Sequence, residues 1–537
     1  MRMERIADRV ILVWGYKRVL LAILAGAFGV LALPPIGFFA AMFVSFTLLV
    51  WLIDGAAAAP DSGIIGRLWP SFVTGWLFGF GYFVAGLWWL GHALMIDAEE
   101  FAWALPLAIF GLPAVLAIFY GLATALARIL WSDGVGRIAA LAASFGLLEW
   151  ARSVLFTGFP WNAIGYGMTP VPVMMQSAHI IGIMGITALS VFVFAAPALL
   201  GTKQGAKTGI SLALLLLAAH VGYGAYVLYG APKPVAAAAT DKSPVIRLVQ
   251  PMIDQSAKMD SDADRAAIFE KHLKLSAEAP RDGGRKPDII VWPETAIPFI
   301  LTDNQDALTR IADTLDDNQV LLAGAVRAED MGPGNPPRYY NSIYVIDGRG
   351  QIIAASDKVH LVPFGEYMPF ESLLSEFGIQ NIVEMPGGFS AAATRQLLTL
   401  PSGLKLYPLV CYEIIFPGEM TGDIGSASAI LNITNDAWFG ATPGPYQHFQ
   451  QARVRAVETG LPLIRDGNSG ISALVSPRGE IIAGLSLNET GFIDATLDSF
   501  ASPAHPPLSR ETYFWLIETL LLAIAMASRF GFVFKRN

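Results

Sequence analysis

The sequence predicts a membrane-embedded α-helical bundle joined to an α/β domain, and two observations support that prediction. Hydrophobic residues make up 54% of the 537 residues and charged residues only 15%, with a mean hydropathy of +0.50, which lies outside the range of ordinary soluble proteins. The apolar residues are also segregated, because residues 236–502 have a soluble composition with charged residues throughout. We therefore expect an integral membrane protein with a large domain outside the bilayer.

About eight apolar stretches are long enough to cross a bilayer as helices, which takes about 20 residues each. They cover residues 18–34, 36–53, 71–95, 102–127, 138–156, 180–201, 209–229 and 512–533. Pro34 and Pro35 nearly join the first two stretches. The predicted organisation is a transmembrane bundle of seven spans over residues 1–235, an extracytoplasmic domain over 236–502, and a final span with the C-terminus over 503–537.

The charges of the short loops predict the orientation, since Lys and Arg are retained on the cytoplasmic side of a membrane. The basic residues of the loops and termini all fall on one predicted side, and they are Arg2, Arg5, Arg9, Lys17, Arg18, Arg67, Arg128, Arg137, Lys203, Lys207, Arg529, Lys535 and Arg536. The opposite loops, such as Asp97–Glu100, are nearly free of positive charge. Both termini are therefore expected in the cytoplasm. A net charge of -8 without a basic patch indicates no nucleic-acid partner.

Short β-rich segments alternate with amphipathic helices in residues 236–502, which predicts an α/β domain. The expected strands cover residues 245–249, 289–292, 320–325, 342–346, 352–356, 406–411, 429–434, 463–465 and 471–475. The expected helices cover residues 261–278, 304–317 and 446–460. Glycine-containing turns at 347–350 and 477–480 predict two hairpins.

Three short motifs place a reactive group at the end of a predicted strand, and the groups are Glu294, Lys358 and Cys411. Cys411 is the only cysteine, so no disulfide can form within the chain. A thiol is a poor nucleophile until its proton is removed, and Glu294 as an adjacent base would remove it. Lys358 would stabilise the oxyanion that develops when the thiolate attacks a carbonyl. Together these residues predict acyl transfer through a thioester.

Each of these residues also has a structural interpretation when it is taken alone. A cysteine in an apolar strand is more often a buried core residue, Glu294 fits a capping or salt-bridged carboxylate, and Lys358 fits a solvated surface charge. Glu366 and Glu413 fit structural partners that orient Lys358 as well as they fit catalytic groups. The combination of three motifs favours the catalytic interpretation.

Other ionisable residues are predicted to have structural roles. The seven histidines show no metal-binding spacing, so neither a metal site nor a cofactor is expected, and His360 and His448 are interpreted as hydrogen-bonding residues. Glu149 and Arg152, three residues apart at the end of a span, are predicted to form an ion pair.

The ordered motifs Trp292–Ala296, Lys358–Glu366 and Cys411–Glu413 resemble the nitrilase superfamily. Together with about eight spans, they resemble its membrane-embedded apolipoprotein N-acyltransferase family. The resemblance covers most of the chain, and it extends to residues 157–162, 435–440, 445–450 and 452–458. It implies a nitrilase-like four-layer α-β-β-α sandwich for the α/β domain.

The resemblance also implies a reaction and the residues that perform it. The implied site consists of catalytic Glu294, Lys358 and Cys411 with supporting Glu366, Glu413 and Tyr412. The implied reaction moves a fatty acyl chain from a phospholipid, through the cysteine thioester, to the α-amine of the N-terminal diacylglyceryl-cysteine of an apolipoprotein. The expected partners are therefore a phospholipid and an apolipoprotein at the periplasmic side of a bacterial inner membrane, without a cofactor.

Two other functions would use parts of the same pattern. A membrane-tethered amidase or nitrilase would use the same three residues but release its acyl group to water. An apolar lid predicted over residues 364–389 argues against it. A transporter whose external domain only binds substrate would place several charged residues within its spans, and few are present.

Overall fold

The structure is a computed structural model that describes residues 2–59, 61–230, 243–255, 262–369, 388–420, 422–497 and 506–534. It divides into two compact units, of which the first consists of Met1–Gly91, Trp103–Pro232 and Ala504–Asn537. The second consists of His92–Ala102 and Lys233–Pro503. Most of the predicted lid, residues 370–387, lies outside the described residues.

The first unit is built from apolar helices. Within the described residues, its helices of ten or more residues are α1 (Arg2–Ile11), α2 (Tyr16–Gly29), α3 (Ala40–Asp54), α4 (Ile64–Leu87), α5 (Leu112–Ile129), α6 (Val135–Val154), α7 (Ala178–Ala195), α8 (Ala206–Ala225) and the C-terminal helix Arg510–Phe534. Each apolar stretch predicted from the sequence overlaps one of these helices.

In the part of the chain that the structure describes, six segments are long and apolar enough to cross a membrane. They are Ile64–Leu94, Ala98–Ile129, Val135–Thr157, Ala178–Gly201, Ala206–Gly230 and Arg510–Gly531. Met3–Ile11 and Tyr16–Ala32 form a pair bent by 118°, which makes seven if the pair is one span. Helix α3 is apolar but has only 15 residues, fewer than the roughly 20 that a bilayer requires. The predicted count of eight is therefore approximate.

Glycines let the helices of this unit approach one another closely. A Cβ atom at Gly26 of α2 would lie 1.9 Å from a backbone carbonyl oxygen of α4, and one at Gly81 of α4 would lie 2.0 Å from a carbonyl oxygen of α2. Glu149 and Arg152 of α6 form the predicted ion pair, and both side chains are buried. A charged pair at this depth is tolerated because each member neutralises the other.

Within its described residues, the second unit contains two six-stranded sheets. Its strands are β1 (Val245–Gln250), β2 (Ile289–Ile297), β3 (Val320–Glu329), β4 (Arg338–Asp347), β5 (Ile352–Asp357), β6 (Leu398–Thr399), β7 (Lys405–Val410), β8 (Ala429–Thr434), β9 (Leu463–Gly467), β10 (Ser472–Val475), β11 (Ile481–Leu485) and β12 (Gly491–Thr496). The strand orders are β12-β1-β2-β3-β4-β5 and β11-β10-β9-β8-β7-β6. Strands β1, β2 and β3 run parallel in one sheet, as do β7, β8 and β9 in the other.

Helices cover the outer faces of the two sheets. Helices α9 (Asp262–Ala277) and α10 (Gln305–Thr314) pack on the first sheet, and α11 (Pro443–Thr459) packs beside the second. Strand β2 contacts β8 and β9, so the sheets face each other. Strands covered on both faces are mostly apolar, as β8 is with four apolar residues among its six, all of which are buried. The result is the predicted four-layer α-β-β-α sandwich.

The nine strands and three helices predicted for this domain are all present, with ends that differ by a few residues. The two predicted hairpins join β4 to β5 and β10 to β11. Strands β6, β11 and β12 were not predicted. In β12, Gly491 and Asp494 interrupt the apolar pattern, and Asp494 forms an ion pair at 2.8 Å with the buried Arg247 of β1.

Candidate active site

Strand ends of the second unit meet around the Cys411 thiol, which is 8% exposed. Strand β7 ends at Val410, and Cys411 opens a 3-10 turn, Cys411–Ile415, with a φ of 55°. A positive φ is uncommon for a residue with a side chain and marks a sharp turn out of the sheet. The prediction that the strand includes Cys411 is therefore wrong by one residue, because this turn ends the strand pairing.

Glu294 lies in β2 at a point where its pairing with β3 is interrupted. The next residue, Thr295, has a φ of 47°, which turns the chain locally out of register. Gly324 of β3 makes this bend possible, since a Cβ atom there would lie 2.7 Å from Glu294 Cα. The Glu294 side chain is buried, its Oε1 accepts a hydrogen bond of 2.7 Å from Asn341 Nδ2, and its charge acts on the Cys411 thiol.

Lys358 follows β5 and is buried beside this carboxylate. Its Nζ lies 2.9 Å from both carboxylate oxygens of Glu366 and 3.9 Å from Oε1 of Glu294. The same Nζ lies 5.4 Å from the centre of the Tyr412 ring. Asn341 Nδ2 joins the two carboxylates, at 2.7 Å from Glu294 and 3.0 Å from Glu366. The structure thus brings the three motif residues predicted from the sequence into one buried cluster.

Burial and neighbouring charges together set the protonation of this cluster. Burial and the Glu294 carboxylate raise the pKa of the Cys411 thiol, against the opposing effect of Lys358. Burial also raises the pKa of Glu294, an effect that Lys358 opposes and Glu366 increases. Burial alone would lower the pKa of Lys358, but the Glu366 and Glu294 carboxylates outweigh it, so that pKa is raised. The site therefore holds a neutral thiol beside a carboxyl group of increased basicity and a protonated ammonium group.

Glu413 links the turn at Cys411 to the loop that follows Lys358. One carboxylate oxygen accepts a hydrogen bond of 2.7 Å from the backbone N–H that precedes Cys411. The other accepts from the backbone N–H groups of the two residues after Lys358, at 2.9 and 3.0 Å, and from Arg395 Nη2 at 2.6 Å. Tyr412 Oη donates to a carbonyl oxygen of the same loop at 2.6 Å. Both residues therefore position the elements that hold the thiol and the ammonium group.

A second polar network lies on the other side of the sulfur. Thr434 Oγ1, at the end of β8, is 3.5 Å from the sulfur and 2.8 Å from Asp436 Oδ1. His448 Nδ1 lies 2.9 Å from the same carboxylate oxygen, and Arg465 Nη2 donates to the other oxygen at 2.8 Å. Arg465 also donates to Asn432, whose amide binds two carbonyl oxygens at the end of β7, at 3.1 Å each. All five side chains are fully buried.

Sequence analysis gave no role to Asn341, Thr434, Asp436 or Arg465. A signal was available for the three that lie in strands, Asn341, Thr434 and Arg465, because a polar residue inside a buried strand costs free energy unless it is hydrogen-bonded. Asn341 lies within the largely buried β4, and Arg465 lies within β9, whose five residues are all buried. That signal identifies buried polar residues, but it does not indicate which partners they bind.

Sequence comparisons identify the family. The chain matches the carbon-nitrogen hydrolase family over residues 246–504 and the apolipoprotein N-acyltransferase N-terminal domain over residues 25–196. An apolipoprotein N-acyltransferase of Rhizobium leguminosarum bv. trifolii is 80% identical over 535 residues, with 100% of both chains covered. The chain belongs to the apolipoprotein N-acyltransferase family. An apolipoprotein N-acyltransferase of Agrobacterium fabrum is 62% identical over 535 residues, again with 100% of both chains covered.

Membership of the apolipoprotein N-acyltransferase family confirms the predicted family, fold class and enzyme class. The chain is a multi-pass membrane acyltransferase with a nitrilase-like domain. The amidase and transporter interpretations are therefore set aside. Among solved structures, an amidase from Nesterenkonia sp. AN1 is 19% identical, and the match covers 48% of this chain and 91% of the amidase with a TM-score of 0.35.

Proposed function

We propose that Cys411 is the nucleophile of this acyltransferase, and that it carries an acyl chain from a membrane phospholipid to the α-amine of an apolipoprotein's diacylglyceryl-cysteine. The observation that supports this most directly is the buried cluster itself. The charges of Glu294 and Lys358 both act on the buried thiol, and Glu294 Oε1 lies 3.9 Å from Lys358 Nζ. A nucleophile, a neighbouring base and a cation in one cluster are the groups that covalent acyl transfer requires.

In the first half-reaction, Glu294 takes the thiol proton as the sulfur attacks the ester carbonyl carbon of the phospholipid. Its raised pKa makes Glu294 a stronger base than an ordinary carboxylate, and the neutral thiol needs such a base. Negative charge develops on the carbonyl oxygen, and the Lys358 ammonium is the nearby cation that would stabilise it. The ester C–O bond then breaks, Glu294 returns the proton to the departing glycerol oxygen, and a lysophospholipid leaves.

In the second half-reaction, the α-amine of the apolipoprotein attacks the thioester carbonyl carbon. Glu294 accepts a proton from the attacking amine, the C–S bond breaks and the sulfur leaves as a thiolate that regains a proton. An amide forms on the apolipoprotein, and the site returns to its starting state. The same base thus serves both halves, which requires that water be kept from the thioester in between.

Glu366, Glu413 and Tyr412 are proposed to position the reacting groups. Glu366 lies 2.9 Å from Lys358 Nζ and so fixes the ammonium group in the cluster. Glu413 and Tyr412 tie the turn at Cys411 to the loop after Lys358 by the hydrogen bonds described above. Their contribution is therefore to geometry, on which acyl transfer depends steeply.

A lipid donor is supported by the apolar surface close to this cluster. Phe364 is 53% exposed and lies two residues from Glu366, and Tyr446 at the start of α11 is 37% exposed. Exposed aromatic side chains on the loop that carries Glu366 and on the helix that packs against the Cys411 turn suit an acyl chain better than a polar substrate. The loop charges described above support a periplasmic site with both termini in the cytoplasm.

Intact-protein mass spectrometry tests the donor and the nucleophile together. The full chain is purified in detergent and incubated with a phospholipid of one defined acyl composition, next to Cys411→Ala. We expect an acyl-sized mass gain in the native protein that hydroxylamine removes and that Cys411→Ala lacks. An equal gain in Cys411→Ala would remove Cys411 as the nucleophile, and no gain in the folded native protein would remove phospholipid as the donor.

A further inference from the structure

The Thr434 hydroxyl lies between two acceptors. Its Oγ1 is 2.8 Å from Asp436 Oδ1 and 3.5 Å from the Cys411 sulfur. A hydroxyl group has one proton, so it donates to only one of them at a time. Asp436 is fixed in place, since Arg465 Nη2 donates to its other oxygen at 2.8 Å and His448 Nδ1 lies 2.9 Å from Oδ1.

The charge on the sulfur decides which acceptor is preferred. The pKa of Asp436 is lowered, because His448 and Arg465 outweigh the effect of burial, so this group is an anion at neutral pH. While the thiol is neutral, the charged and nearer carboxylate is the better acceptor. Once Glu294 removes the thiol proton, negative charge develops on the sulfur and the two acceptors become comparable. Rotation about the Thr434 C–O bond then turns the proton toward the sulfur, and no covalent bond changes.

We propose that Thr434 is a positioning residue for Cys411, whose hydroxyl donates to the sulfur as negative charge develops there, and that Asp436 opposes this rotation by competing for the proton. The proposal rests on the proposed role of Cys411 as the nucleophile. The other charged groups that face the sulfur are Glu294 of β2 and Lys358 after β5. Neither of them touches the Thr434–Asp436 pair in the hydrogen bonds described, so substitutions in the pair leave this background in place.

The single cysteine of the chain makes a direct test possible, because any alkylation of thiols reports on Cys411 alone. The rate of alkylation by iodoacetamide is measured between pH 6 and 10 for the full chain in detergent. Thr434→Val keeps the shape of the side chain and removes the hydroxyl, and Thr434→Ser restores it. Thr459→Val is the matched control, since the Thr459 hydroxyl donates to a carbonyl oxygen of α11 at 2.9 Å, away from the thiol.

Thr434→Val is expected to move the rate profile about one pH unit to the alkaline side, or about tenfold slower at a given pH, which is the scale of one hydrogen bond to a charged group. Thr434→Ser and Thr459→Val are expected to follow the native profile. Asp436→Asn is expected to move the profile in the opposite direction, because the carboxylate no longer competes for the proton and its negative charge no longer raises the pKa of the thiol. Thr434→Val changes no charge, so its shift relative to Thr434→Ser is the result that tests the hydroxyl.

A Thr434→Val profile that coincides with the native one, in protein that remains folded by gel filtration, overturns the proposal, as does an alkaline shift in Asp436→Asn. If Asp436→Asn does not fold, the comparison of valine with serine at position 434 decides alone. Alkylation needs neither lipid donor nor peptide acceptor. If Thr434→Val shifts the alkylation profile but the native protein forms no thioester, the proposed function is rejected and this inference stands. If the thioester forms but Thr434→Val leaves the alkylation profile unchanged, only this inference is rejected.

Discussion

Replacing Lys358 with methionine is expected to destabilise the protein and slow acyl transfer for two separable reasons. The buried Nζ lies 2.9 Å from Glu366 and 3.9 Å from Glu294, so its loss leaves two neighbouring carboxylates without their shared cation, joined by the Asn341 amide. Removing one partner of a buried ion pair costs about 3–5 kcal/mol. Because the pKa of Lys358 is raised above its unfolded value, this contribution is present throughout neutral pH and is lost only as the pH rises through the folded-state pKa. Loss of a preorganised oxyanion group slows the chemistry about 10²–10³-fold.

Thermal unfolding of the full chain in detergent and the rate of acyl-enzyme formation measure the two effects. The control is Arg327→Met, which removes a partly exposed pair with Asp357 at 2.8 Å and should cost at most about 1 kcal/mol. The double variant Lys358→Met with Glu366→Gln removes one of the two uncompensated charges, so we expect part of the stability to return while the rate stays low. Recovery of the rate in that double variant, or native stability in Lys358→Met alone, would refute this reasoning.

Three further predictions concern the geometry of the site. Asn341→Leu removes a hydrogen bond that lowers the pKa of Glu294, so that pKa should rise further. The acid limb of the acylation pH profile should therefore move to the alkaline side by about one unit. A limb that stays or moves to lower pH would contradict this. Gly324→Ala should slow acylation at least about tenfold, because the new Cβ would lie 2.7 Å from Glu294 Cα. Gly418→Ala is the control and should match the native rate, because its new Cβ has no atom within 4 Å. Equal rates in the two variants would exclude a steric effect at Gly324. Glu413→Gln should reduce both the thermal unfolding midpoint and the acylation rate, because this carboxylate accepts four hydrogen bonds and links the turn at Cys411 to the loop after Lys358. An unchanged midpoint would show that the link is dispensable.

The membrane half could be predicted well because a bilayer demands about 20 apolar residues in succession, and such stretches are visible without any tertiary information. The number of spans is harder to predict near Pro34 and Pro35, because they lie between two short apolar stretches. The second of these stretches forms α3, which has only 15 residues. The α/β domain was predicted from strand and helix alternation. Strand β12 was not predicted because Asp494 places a charge within it. The ion pair with Arg247 that compensates for this charge depends on tertiary structure and cannot be read from the neighbouring sequence.

Of the candidate site, the sequence predicted the reactive groups but not their connections. Glu294, Lys358 and Cys411 stood out because each follows an apolar strand within a recognisable motif. Asn341 joins two carboxylates that lie 47 and 25 residues from it in the sequence, and no spacing rule predicts such a bridge. The positive φ of Cys411 was also not predictable, since positive φ is normally expected at glycine.

The most direct test of the central claim is a single-turnover transfer from isolated acyl-enzyme. The native chain is loaded from a phospholipid with an isotopically labelled acyl chain, freed of donor, and mixed with a peptide that begins with diacylglyceryl-cysteine. We predict that the label leaves Cys411 and enters an amide at the peptide's α-amine with the same rate constant. Label released as free fatty acid while the peptide stays unmodified, or amide formed while the label remains on the enzyme, would contradict transfer through Cys411.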